Sequence, residues 1–118
     1  MKILIAEDTD SVCFALRLAM EYLGHEVVAT ATDGVEVLRQ YEQLHPEVVL
    51  MDVRMPRMDG LTCTTKLAAQ DPNAKVVIIT GGRTTERDAV DAGARALVEK
   101  PFGIDELGQL IHSLEPSR

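Results

Sequence analysis

Glu7 and Asp8 follow the run Ile3-Leu4-Ile5-Ala6, Asp52 follows Val48-Val49-Leu50-Met51, Thr80 follows Val76-Val77-Ile78-Ile79, and Lys100 comes shortly after Leu97-Val98. If these apolar runs are parallel neighbours in one sheet, their polar ends meet on one edge. Three crowded carboxylates repel one another unless a divalent cation sits among them, and a lysine opposite a threonine makes a seat for a phosphoryl group. The constellation points to an aspartate that carries phosphate.

Asp52 is the expected nucleophile, because a carboxylate can attack phosphorus to form an acyl phosphate, given alignment and neutralised charge. The segment Val53 to Gly60 leaves it exposed, and Met55-Pro56 followed by Asp59-Gly60 adds a fixed turn beside it. Asp8 and Asp52 are the expected direct ligands of Mg2+, for which Mn2+ is an acceptable substitute; Glu7 is expected to act through water and the Arg54 backbone carbonyl as a third ligand. Thr80 would donate its hydroxyl to a phosphoryl oxygen, Gly81 would leave space and a backbone N–H, and Lys100 would screen the phosphoryl charge. The Arg54 side chain stands two residues beyond Asp52, where it can hinder or help an attacking water. Arg54 and Arg57 either steer a phosphodonor or belong to a solvated loop.

These residues need a scaffold that alternates strand and helix. Lys2 to Ala6, Glu26 to Ala31, Glu47 to Met51, Lys75 to Thr80 and Ala96 to Glu99 read as strands, three of them apolar almost without alternation, as suits a sheet covered on both faces. Helical spacing fills the gaps: a first helix from about Asp10, a second with Val35, Leu38, Tyr41 and Leu44, then Leu61 to Ala69, Thr85 to Ala92 and Ile104 to Leu114. Gly24 reads as a left-handed cap, Asp33 with Glu36 as a capping box, and His45-Pro46 as a helix stop. Right-handed crossovers then give an α/β fold, a doubly wound five-stranded parallel sheet with helices on both faces. Residues 1–114 form the expected domain, and 115–118 a tail or the start of a linker.

Composition narrows the function classes. A chain of 118 residues fits one domain. Aromatics are only 3% of it, which leaves no stacking platform for bases, and a formal charge of −7 disfavours the nucleic-acid backbone. No apolar run approaches membrane-spanning length, and the acidic turn at Glu7 comes too early for a secretory signal. The expectation is a soluble cytoplasmic chain that binds neither nucleic acid nor membrane. Cys13 and Cys63 lack metal-ligand spacing and read as small half-buried residues.

With Glu7-Asp8, Met51-Asp52, Met55-Pro56, Asp59-Gly60, Thr80-Gly81, Ala92-Gly93-Ala94 and Lys100-Pro101-Phe102 in this order, nearly the whole chain resembles the receiver domains of two-component response regulators. The resemblance implies the flavodoxin-like strand order 2-1-3-4-5 and phosphorylation of Asp52 by a histidine kinase or histidine phosphotransfer domain. It also implies Mg2+ held by Glu7, Asp8 and Asp52, and a cis peptide before Pro101. Such a domain is a signalling phosphoacceptor and not an enzyme, apart from self-catalysed phosphorylation from small donors and autodephosphorylation. It acts on an output partner or effector domain, as a monomer or a phosphorylation-dependent dimer. Thr80 and Leu97 hold the switch positions, but Leu97 replaces the usual aromatic side chain, so switching must use another readout. The stretch from Thr80 to Lys100 is short for the family, which implies a short or irregular fourth helix.

Two other classes compete. Asp8-Thr9-Asp10-Ser11-Val12 fits the signature of a haloacid dehalogenase-type phosphatase with Asp8 as nucleophile, but a helix starting at about Asp10 and an unused Asp52 argue against it. A flavin- or nucleotide-binding module would need a first loop that cradles phosphate, and Glu7, Asp8 and Asp10 would repel that anion.

Overall fold

A computed structural model describes residues 1–116. Strand and helix alternate through it: β1 (Lys2–Ala6), α1 (Asp10–Tyr22), β2 (Glu26–Ala31), α2 (Gly34–Leu44), β3 (Val48–Asp52), α3 (Gly60–Gln70), β4 (Val76–Thr80), α4 (Glu86–Ala92), β5 (Ala96–Glu99) and α5 (Ile104–Ser113). The sheet order is β2-β1-β3-β4-β5 with every pair parallel. This is the order the resemblance implied. Successive side chains of a strand point to opposite faces, so Ile3, Ile5, Leu50 and Ile79 pack with Leu16 and Met20 of α1 and Leu107 and Ile111 of α5. Leu4, Met51 and Ile78 pack on the other face with Val37 of α2, Cys63 and Leu67 of α3 and Ala89 of α4. Both faces are therefore covered. That is why β3 and β4 are buried at every residue and carry no apolar-polar alternation, whereas the edge strand β2 is mostly half-buried.

Boundaries moved by a residue or so. β3 begins at Val48 and takes in Asp52, β4 begins at Val76, and α5 ends at Ser113. Thr85 is the N-cap of α4 and not its first residue: its hydroxyl accepts from the Asp88 N–H and the Asp88 carboxylate accepts from the Thr85 N–H, both at 3.1 Å. That helix has 7 residues and is the shortest described, as its spacing from Lys100 implied. Only half of the expected capping box forms at α2. Asp33 accepts from the Glu36 N–H at 2.9 Å, but the Glu36 carboxylate turns to the Gln40 amide at 3.0 Å. Gly24 takes a φ of 88°, and His45 ends α2 in the left-handed region at φ 46°, outside the right-handed helix that Pro46 disfavours. Cys63 is fully buried and Cys13 half-buried. Of the expected tail, residues 117–118 lie outside the described residues. No described helix is long and apolar enough to cross a membrane.

Gly60 fixes how the end of β3 meets α3. Its N–H donates to the Val53 carbonyl at 2.8 Å, and a Cβ there would overlap the Asp52 carbonyl oxygen. The obstacle is backbone, which cannot swing aside as a side chain would.

Replacing Gly60 by alanine should therefore destabilise the fold by about 1–3 kcal/mol, the range for overpacking a filled core, read as a lower midpoint in urea. Burial pushes the Cys63 thiol pKa up to about 12. Iodoacetamide should thus alkylate Cys13 first, and Cys63 only as the fold opens; equal rates by peptide mapping would contradict this packing.

Candidate functional site

The connections from β1 and β3 leave toward opposite sides of the sheet, and in such sheets a crevice opens at that reversal, beyond the carboxyl ends of the strands. Glu7 and Asp8 continue β1, Asp52 closes β3, Thr80 closes β4 and Lys100 follows β5. All five line one cavity of about 540 Å3, together with Gly81 and Arg54. Two backbone bonds steady its walls: Glu7 N–H to the Ala31 carbonyl at 2.9 Å, and Lys100 N–H to the Thr80 carbonyl at 2.7 Å.

The charges inside are organised around one ammonium. Lys100 Nζ donates to Glu7 Oε1 at 2.8 Å and to Asp52 Oδ1 at 3.2 Å. Glu7 is 2% exposed and Asp52 8%, so Asp52 is buried at the end of β3 and not left exposed by the loop as expected, and both carboxylates need that partner; Asp8 is exposed and can keep its water. Burial lowers the lysine pKa, but the hydrogen bond to Glu7 and the charge of Asp52 outweigh it and leave the pKa raised. The other Glu7 oxygen accepts from the Thr9 N–H at 3.3 Å. Thr80, 3% exposed, accepts from the Gly82 N–H through Oγ1 at 3.2 Å, which leaves its hydroxyl proton free to donate. A Cβ on Gly81 would lie 3.6 Å from Lys100 Cδ, so the bare glycine adds room beside the lysine stem. The peptide between Lys100 and Pro101 is cis, as the resemblance implied.

The donor set suits a hard cation. One oxygen each from Glu7, Asp8 and Asp52 lie within 4.8 Å of one another. Oxygens gathered that closely can share one small ion, directly or through a bound water. All-oxygen, anionic ligands favour Mg2+ or Mn2+ over softer metals.

Leu97 and Arg57 lie outside this cavity. Leu97 is half-buried on the α2–α3–α4 face of the sheet, packed against the cluster that holds Ala89 and Ala94. Arg54 reaches the cavity mouth, where its Nη2 would lie 3.9 Å from a Cβ on Gly82; Arg57 turns away to Asp33. Sequence reasoning missed Gly82, Arg83, Thr84 and Asp88, which complete the wall on the β4–α4 side. The one readable signal for that wall was Thr85 with Asp88 three residues on, an acidic variant of the capping-box spacing.

Comparison with known proteins agrees with this fold. The family model described as the response regulator receiver domain matches residues 3–112. The chain is similar to the chemotaxis protein CheY of Listeria monocytogenes, 33% identical, covering 91% of this chain and 92% of that one. It is also 37% identical to the transcriptional regulatory protein PdtaR of Mycobacterium tuberculosis, over 90% of this chain and 52% of that longer one. A crystal structure of the CheX-CheY-BeF3-Mg complex from Borrelia burgdorferi superposes with a TM-score of 0.92 at 27% identity, covering 99% of this chain and 90% of that one.

In chelator-treated buffer at neutral pH, Lys100→Met should cost about 1.5–3 kcal/mol of unfolding free energy, the worth of hydrogen bonds to charged groups. Because the folded lysine pKa is raised, its contribution is complete below the ordinary lysine value and disappears as pH rises through the folded one. Urea midpoints of variant and wild type should converge at alkaline pH; a constant gap would mean that the lysine acts by packing alone.

Proposed function

The chain belongs to the response regulator receiver family of two-component signalling, and on that footing we propose that Asp52 is its phosphoacceptor, residues 1–114 forming the working domain. One observation carries the reading: Asp52 lies within 3.2 Å of a lysine ammonium and beside two further acidic groups, inside one cavity at the sheet edge.

An Asp52 carboxylate oxygen attacks the phosphorus of a phosphohistidine on a histidine kinase or phosphotransfer domain. The O–P bond forms as the P–N bond breaks, and the departing imidazole nitrogen takes the bond's electron pair. A bound Mg2+ supplies positive charge that screens the attacking carboxylate and the transferring oxygens. Asp8 and Asp52 would hold it directly, Glu7 through water, and the Arg54 carbonyl would be a further ligand. Lys100 has a third N–H to offer beyond the two engaged with Glu7 and Asp52, so its ammonium can follow the phosphoryl oxygens without a new charge entering the site. Thr80 turns its free hydroxyl proton to a second oxygen, and the Gly81 N–H reaches a third. The same groups serve self-phosphorylation from a small acyl phosphate and autodephosphorylation, in which water attacks phosphorus and the aspartyl O–P bond breaks.

Phosphorylation recruits Thr80 and Lys100 to an anion, and the β4–α4 loop that follows Thr80 and the β5–α5 loop that carries Lys100 respond. Leu97 has no ring to turn inward, so the response is read from loop and helix position by a partner or effector domain. The alternative with Asp8 as nucleophile lacks support, since Asp10 is already the first residue of α1 and the lysine lies on Asp52.

Incubation with acetyl phosphate and Mg2+ should add one phosphoryl group, mapped by peptide mass to Asp52. Asp52→Asn should abolish labelling, Asp8→Asn weaken it, and a chelator remove it. Modification at another residue, or none, would overturn the assignment.

A further inference from the structure

We infer that Arg57 and Asp33 form a latch between the β3–α3 loop and the start of α2, and that this latch positions the loop for binding the divalent cation. The inference rests on the proposed cation site and adds to it two residues, neither of which lines the cavity.

The loop from Val53 to Asp59 is pinched shut at its base, where the Gly60 N–H meets the Val53 carbonyl at 2.8 Å. Its outer part makes a tight turn: the Met58 N–H donates to the Pro56 carbonyl at 2.7 Å across Arg57, whose φ is 64°. A three-residue turn with positive φ at its centre is rare and strained, and arginine lacks the glycine's tolerance for it. Such a conformation persists only where the surroundings enforce it. Here the enforcing partner is visible. Arg57 Nε donates to Asp33 Oδ2 at 3.1 Å, and Nη2 of the same guanidinium reaches the same oxygen.

Asp33 is 5% exposed but the Arg57 side chain is 63% exposed, so water weakens the ion pair, and its role lies in fixing where the loop sits more than in charge energy. Its carboxylate is spoken for on both oxygens, one by the Glu36 N–H at the α2 N-terminus and one by Arg57. Those bonds, the Glu36 N–H first, hold its pKa below the usual carboxylate range. One residue on, the Gly34 N–H donates to the Met58 carbonyl at 3.2 Å, and a Cβ on Gly34 would stand 2.7 Å from that carbonyl oxygen. Backbone and side chains thus bolt residues 57–58 to α2.

Arg54 lies between the pinched base and the bolted tip. Its carbonyl is a proposed cation ligand and its guanidinium spans the cavity mouth toward Gly82. With the tip released, residues 54 to 58 can swing about the Val53–Gly60 base, and a ligand on a swinging loop binds more weakly because its ordering must be supplied on binding. Asp52 stays in β3 in either case. The expected signature is weaker cation binding with an unaltered nucleophile.

The test is calorimetric titration of the full chain with Mg2+, on the wild type, Arg57→Asn, Asp33→Asn and the double variant. Asparagine tolerates the positive φ at 57 and still caps α2 at 33, so both variants keep the fold. Each should bind Mg2+ about tenfold more weakly, as is typical when the support behind a ligand is removed. The double variant should be no worse than either single one. Arg57→Lys, which keeps a charge but not the fork, should fall between. Wild-type affinity in both single variants, or additive losses in the double, would overturn the latch. Acetyl phosphate labelling separates the two claims: a wild type that binds Mg2+ but takes no phosphoryl group sinks the phosphoacceptor reading, and the titration still decides the latch.

Discussion

Lys100 holds together two nearly buried carboxylates that would otherwise repel, and the edge of the sheet is organised around that ammonium. Glu7 comes from the first strand's end and Asp52 from the third's, 45 positions apart in sequence, so neither local propensity nor a turn could bring them together. The lysine does it from the far end of the chain, at 2.8 and 3.2 Å. The arrangement is poised by its own charges. Three acidic groups around one cation form a site that is short of positive charge, and a hard divalent ion is a species that would make up the deficit.

The sheet makes this economical. Because parallel strands all point their carboxyl ends the same way, five strands deliver five chain ends to one rim without any strand having to bend. A slip of β3 by one residue would turn Asp52 to the opposite face of the sheet, and the side chains packed on each face oppose it. The apolar core is thus what aims the polar site. Gly60 and Gly34 then let backbone approach backbone at the two places where a side chain would hold the β3–α3 loop off.

Most of the scaffold and the five polar residues at four strand ends were legible in the sequence, because apolar runs, caps and the residues that follow them are local signals. Strand order was not among them. Nothing in the runs themselves says which strand lies beside which, and the order entered through family motifs. The partnership of Arg57 with Asp33 was equally hidden, since 24 residues separate them and each has a bland local explanation, a loop cation and a helix cap. The loop wall from Gly82 to Asp88 escaped for a related reason: Gly82, Arg83 and Thr84 carry no periodicity, and only the fold puts them over the cavity. Sequence shows what each element ends with, and tertiary structure decides what those ends meet.

The most direct measurement of the central claim is a crystal structure of the chain with Mg2+ and beryllium fluoride, a stable mimic of a phosphoryl group. The account predicts the adduct on an Asp52 carboxylate oxygen, the cation among Glu7, Asp8 and Asp52, and Lys100 Nζ moved from Glu7 onto a fluorine, with the Thr80 hydroxyl on another. A beryllium adduct on Asp8, or an ammonium still seated on Glu7 with Asp52 bare, would contradict it.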